Sequence, residues 1–66
     1  MDRMRAERAQ LKMTQEELAK ELKVTRSTIS AWERGDGIIP VSALIQMAAL
    51  FNCSADWLLG LSESRK

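Results

Sequence analysis

Apolar residues along the chain fall in short groups at helical spacing, and no stretch alternates at the period of a half-buried strand. In QEELAKEL, residues 15–22, Leu18 and Leu22 lie one turn apart and share a face. Ala19 sits beside Leu18, where a small side chain lets another helix approach closely. In RSTISAWER, residues 26–34, Ile29 and Trp32 define a second apolar face. Only Lys23-Val24-Thr25 separates these faces, which predicts two short helices joined by a tight turn. The punctuation agrees. Thr14 and Glu17 have the spacing of a capping box, in which the hydroxyl takes an orphan helix N–H and the carboxylate reaches back. Thr25 is an acceptable N-cap for the second helix, and Gly35 follows Arg34 where a left-handed residue ends a helix.

The same reading extends to both ends. Asp2–Leu11 predicts a first helix capped by Asp2, with Met4, Arg8 and Leu11 on one face and Met1 extending it. An arginine on a buried stripe needs a partner, unless its head snorkels to water. Residues 36–39 read as a loop, and Pro40 suits the first turn of a fourth helix. There Val41, Leu44, Ala48 and Phe51 form an apolar stripe flanked by Ile45 and Met47, and Asn52 is a left-handed C-cap. Ser54 caps a short fifth helix through Leu59, Asp56 lies near its positive end, and Gly60 stops it. The expectation is an all-α, compact five-helix domain over residues 1–66. Its helices run over about 2–11, 15–22, 26–34, 41–51 and 55–59, and residues 62–66 form a frayed tail.

Helix, three-residue turn, helix is the unit that places its second helix in the major groove of DNA. The segment TQEELAKELKVTRSTISAWERG resembles the helix-turn-helix of the Cro/repressor, or lambda-repressor-like, family, and SADWLLG resembles that family's last helix. The resemblance implies a buried pairing of Arg8 with Glu33 and places Thr14 and Gln15 at the family's phosphate-clamping positions. It also implies dimerisation near the C-terminus, where Trp57, Leu59 and Leu61 are the interface candidates; each of them, like Leu58, is alternatively core. Two departures stand out. Lys12 and Lys23 occupy places where the family usually has glycine, so each must close a helix in a left-handed conformation at a cost of about 1 kcal/mol. The loop that often carries bases reads Asp36-Gly37-Ile38-Ile39, leaving only backbone N–H groups near 37–41 for phosphate.

On a wheel of about 100° per residue, with Ile29 and Trp32 inward, Ser27 and Arg34 point outward. Ser30 and Ala31 flank them, and Arg26 reaches from the N-terminal end. Arg26 can grip a guanine edge through two hydrogen bonds, Ser27 and Ser30 can donate or accept, and Ala31 can touch a thymine methyl. Arg34 and Thr25 join Thr14 and Gln15 as phosphate contacts. The bland alternative for this face is plain solvation.

Composition sharpens the picture modestly. With 66 residues, 45% hydrophobic and 29% charged, the chain is globular with room for one small core. The net charge of +1 argues against strong nonspecific attraction to nucleic acid, but its distribution is uneven. Residues 1–34 carry eight bases against six acids, whereas 35–64 carry no base and three acids. There is no His, and Cys53 is the only cysteine, so imidazole catalysis, His-ligated metal and an intrachain disulfide are excluded. No nucleophile–base pair supports an enzyme. No cofactor, metal or small-molecule ligand is expected. No apolar run is long enough to span a bilayer, and no signal peptide opens the chain, which points to a soluble cytoplasmic protein. The functional expectation is a regulator of transcription that binds double-stranded DNA sequence-specifically, as a homodimeric repressor on a palindromic operator. The alternative is an antitoxin-like protein-interaction module.

Overall fold

A computed structural model describes all 66 residues. Five helices follow one another: α1 (Asp2–Gln10), α2 (Gln15–Leu22), α3 (Arg26–Glu33), α4 (Val41–Phe51) and α5 (Ala55–Leu58). There is no strand. The core is built from Met4 of α1, Leu18, Ala19 and Leu22 of α2, Ile29 and Trp32 of α3, Ala43, Met47 and Phe51 of α4, and Leu58 of α5. Every helix therefore contributes at least one buried apolar side chain, and α2 and α3 share the most extensive contact.

The capping chemistry sets the helix ends. Thr14 Oγ1 accepts from Glu17 N at 3.0 Å while Thr14 N donates to Glu17 Oε1 at 2.8 Å, a complete capping box. Thr25 Oγ1 accepts from Thr28 N at 3.2 Å, and Ser54 Oγ accepts from Trp57 N at 3.0 Å. Lys12, Lys23 and Asn52 each close a helix in the left-handed region, with φ of 56°, 57° and 55°. At Lys23 this geometry lets Val24 N reach back to Ala19 O at 3.0 Å, which turns the chain tightly from α2 into α3.

Four expectations need correction. Asp2 does not cap α1: Met1 holds the N-cap position without a side-chain bond, and Asp2 is the first helical residue. Leu11 is 48% exposed rather than inward, and Glu7 takes the inward position at 6%. The reason lies far along the chain, because partners from the C-terminal end satisfy the Glu7 carboxylate. In α4 the buried face is Ala43, Met47 and Phe51, with Leu44 and Ala48 half-buried and Val41 70% exposed. This helix contains no charged residue to mark its outer side, so apolar spacing alone cannot orient it.

Residues 62–66 are not frayed. Arg3 Nη1 donates to Ser62 O at 2.6 Å, and Ser54 N donates to Arg65 O at 2.8 Å. Arg65 donates Nη1 to Asn52 O at 3.0 Å and Nη2 to Phe51 O at 2.6 Å. A guanidinium thus sits on the otherwise orphaned carbonyls at the negative end of α4.

Candidate nucleic-acid interface

The turn at Lys23 sets α3 against α2 with Ile29 and Trp32 buried, which leaves the opposite side of α3 free. Arg26 and Ser27 are exposed there, and neither side chain bonds to anything in the chain. Ser30 and Ala31 are half-buried beside them. Arg34, at the C-cap, is exposed and folds back, with Nη1 donating to Ser30 Oγ at 2.8 Å and Nε to Asp36 Oδ2 at 3.2 Å. The Arg34–Asp36 pair is open to water on both sides, so it holds the guanidinium only loosely.

A polar knot fixes this helix to the rest of the fold. Arg8 donates Nε to Glu33 Oε2 at 2.7 Å and Nη2 to Glu33 Oε1 at 3.3 Å, and its Nη1 donates to Met13 O at 2.7 Å. Gln15 Nε2 donates to Glu33 Oε1 at 3.0 Å. One carboxylate on α3 therefore gathers a guanidinium from α1 and an amide from the first residue of α2. Burial pushes the Glu33 carboxyl upward, but the hydrogen bonds from Arg8 and Gln15, with the charges of Arg8 and Arg5, hold it below its usual value.

The residues singled out from the sequence are placed differently from one another. Arg26, Ser27, Ser30 and Ala31 share the outer side of α3. Thr14 and Thr25 spend their hydroxyls on capping, and Thr25 Oγ1 also lies 2.9 Å from Thr28 Oγ1. The side-chain amide of Gln15 is tied to Glu33. Arg5, Arg8, Gln15, Ser30, Glu33 and Arg34 line an open cleft of about 240 Å³ with no apolar wall. Arg5 carried no signal in the hydrophobic pattern, although it lies on α1 close to Arg8.

Other parts of the surface are apolar. Leu59 and Leu61 are 44% and 75% exposed, while Leu58 is core. Trp57 is engaged within the chain: Nε1 donates to Glu7 Oε2 at 3.0 Å, and the Arg3 guanidinium lies 3.7 Å from the ring centroid. Ile38, Val41 and Ile45 are also exposed, in a stretch from 37 to 55 that contains no charged residue. Spacing alone groups Val41 and Ile45 with the inward side of α4, because that helix has no charged residue to mark its outer side.

Two short capped helices across a left-handed turn, with free polar side chains along the outer face of the second, define a helix-turn-helix DNA-binding domain. The family described as Helix-turn-helix matches residues 4–58, and the chain belongs to this family, in its Cro/C1 type. Over 65 residues the chain is 37% identical to the HTH-type transcriptional regulator DicA of Escherichia coli (strain K12). That alignment takes in 98% of this chain and 48% of the relative, so the chain spans about half the length of the curated relative it matches. No helix is long and apolar enough to cross a membrane.

Proposed function

We propose that the chain is the DNA-reading part of a transcriptional repressor that binds a palindromic operator as a symmetric homodimer. The observation that carries the reading is the unpartnered, exposed guanidinium of Arg26 beside the free hydroxyl of Ser27, at the first turn of α3. In a docked helix-turn-helix the N-terminal residues of the second helix meet base edges, and guanine O6 and N7 match a guanidinium in geometry. Ser30 and Ala31 complete the reading face, and Thr14, Gln15, Thr25 and Arg34 lie along the flanking backbone. Membership of the helix-turn-helix family and the likeness to a named transcriptional regulator support the same reading.

The dimer contact in this proposal uses the exposed Leu59 and Leu61, with Trp57 at its edge. A two-fold dimer presents two recognition helices about 34–36 Å apart, one turn of DNA. Selection of bound sequences from random duplex DNA tests the proposal. The expected outcome is an inverted repeat with half-sites about one helical turn apart. Enrichment of a single unpaired half-site overturns the dimer. No enrichment at all favours the second reading, a protein-interaction module, for which the exposed apolar Ile38, Val41 and Ile45 are the supporting observation.

A further inference from the structure

The aspartates of the chain are Asp2, Asp36 and Asp56, and its one asparagine is Asn52. At each, the backbone nitrogen of the next residue can attack the side-chain carbonyl carbon and close a five-membered ring. Three of the four are shielded. Asp2 and Asp56 lie in the first turns of α1 and α5 and are followed by Arg3 and Trp57, whose side chains crowd the attacking nitrogen. Trp57 N is in addition held by Ser54 Oγ at 3.0 Å. After Asn52, Cys53 N is held by Ala48 O at 3.0 Å.

Asp36 has none of this protection. It lies between α3 and α4, where residues 34–38 are all exposed. The next residue is Gly37, which has no side chain, and a Cβ added there would meet nothing within 4 Å, so the approach to its nitrogen is open. Gly37 N donates to nothing in the chain. Asp36 itself is anchored through its backbone, with N donating to Ala31 O at 2.8 Å. Its carboxylate, 67% exposed, has one partner, Arg34 Nε at 3.2 Å. An ion pair open to water on both sides gives way easily.

We propose that Asp36–Gly37 is a modification site, at which the folded chain closes a succinimide and reopens it as isoaspartate. Gly37 N attacks Cγ of the Asp36 carboxyl group in its acid form. The N–Cγ bond forms, a Cγ–O bond breaks, and the hydroxyl leaves with the amide proton as water. Water then reopens the ring. Attack at Cγ restores aspartate, whereas attack at the backbone carbonyl carbon breaks the original peptide bond and leaves the chain running through Cγ. The water lost is regained, so mass and charge are unchanged. The isoaspartate form carries one more methylene between α3 and α4, about 1.5 Å of added chain. Its carboxylate sits directly on Cα, one carbon short of the reach that meets Arg34. The modification therefore releases Arg34 from Asp36 and leaves it to Ser30 alone.

The test incubates the full chain for weeks at neutral pH in water enriched in heavy oxygen, once folded and once unfolded in guanidinium chloride. Each ring opening leaves one solvent oxygen on the residue, whichever product forms, and fragmentation in the mass spectrometer locates it. In the folded chain heavy oxygen is expected to accumulate at Asp36, at a rate within a few-fold of that in the unfolded chain. A second chromatographic form of the peptide containing Asp36, equal in mass to the labelled first, should appear with it. Asp2, Asn52 and Asp56 of the folded chain should lag far behind. Asp36→Glu keeps the carboxylate but needs a six-membered ring, and it should lose the signal at that position. Labelling of Asp36 many-fold slower in the folded than in the unfolded chain overturns the proposal, because the loop then withholds the nitrogen. Labelling of Asp2 or Asp56 in the folded chain as fast as Asp36 overturns it too, because the exposed glycine then selects nothing.

Discussion

Arg65 and Glu7 form a two-pronged ion pair, Nη2 to Oε1 at 2.7 Å and Nε to Oε2 at 2.8 Å, that clasps the C-terminal segment to α1. The same guanidinium caps α4, so one side chain joins three parts of the fold. Arg65→Ala leaves the buried Glu7 with only the Trp57 N–H and uncaps Phe51 O and Asn52 O. The expected result is a lower urea midpoint of unfolding. A midpoint equal to that of wild type would show that the clasp is ornamental.

Stability should fall in acid for two named reasons. The hydrogen bond from Arg65 is the main influence holding the Glu7 carboxyl below its usual value, against an upward push from burial and with help from Trp57. At Glu33 burial pushes upward most, and the bonds from Arg8 and Gln15 still prevail. Both carboxyls titrate lower in the folded chain than the ordinary 4.5, so the unfolded chain binds protons more readily. Their stabilisation is present above that value and is lost as pH drops through the lowered folded values. Urea midpoints should hold steady above about pH 5 and decline below it. Glu7→Gln should flatten part of that decline, and an unchanged profile would remove Glu7 from the explanation.

The Arg8–Glu33 pair should behave as a unit. Its side chains are 16% and 5% exposed, so removing either partner strands the other in a dry site. Arg8→Met or Glu33→Leu alone should cost about 3–5 kcal/mol, and the double variant clearly less than their sum. Additive losses in the unfolding cycle would mean that the two residues act independently.

Arg26 and Gln15 should separate in DNA binding. Arg26→Ala is expected to weaken specific binding by about 1–3 kcal/mol and to relax preference at one guanine per half-site. Gln15→Ala should lower affinity evenly across sequences with the salt slope nearly unchanged, since glutamine carries no charge. It should also reduce stability by about 1 kcal/mol through its lost bond to Glu33. Titration of single-base operator variants at several salt concentrations distinguishes these patterns. Should Arg26→Ala keep the wild-type base preferences and lose only salt slope, Arg26 is a backbone clamp.

Lys23 offers a test of the turn. At φ 57° a lysine bears left-handed strain of about 1–2 kcal/mol, which glycine relieves while losing about 0.5–1 kcal/mol to its freer unfolded state. Lys23→Gly should therefore leave thermal stability level or raise it slightly. Lys20→Gly, inside α2, should cost about 1 kcal/mol. Equal losses at the two positions would mean that strain at Lys23 is negligible.

The parts of this fold that were legible in the sequence are those built from near neighbours. Thr14 with Glu17, Thr25 before Arg26, and the left-handed Asn52 all act within one or two turns, and their residue types state their roles, whereas the left-handed Lys12 and Lys23 follow only from the family resemblance. The outward direction of Ser27 and Arg34 follows from the inward Ile29 and Trp32, and Arg26 reaches that side from the N-terminal end of α3. Where a residue's place depends on a distant partner, local pattern misled. No local signal turns Glu7 inward because Arg65 and Trp57 are remote in sequence, and the tail reads as frayed for the same reason. In α4 nearly every position is apolar, so nothing local distinguishes Met47 from Ile45.

The surroundings of Trp57 have an optical consequence. The chain has two tryptophans and no tyrosine, so its ultraviolet emission comes almost wholly from two indoles in unlike settings. Trp32 is enclosed in the core and brightens or shifts only when the domain opens. Trp57 lies under the Arg3 guanidinium and hydrogen-bonds to Glu7, so its colour follows the clasp between the chain's two ends. Replacing either indole by phenylalanine leaves a one-lamp protein, in which loosening of the C-terminal segment and melting of the core can be watched separately without any attached dye.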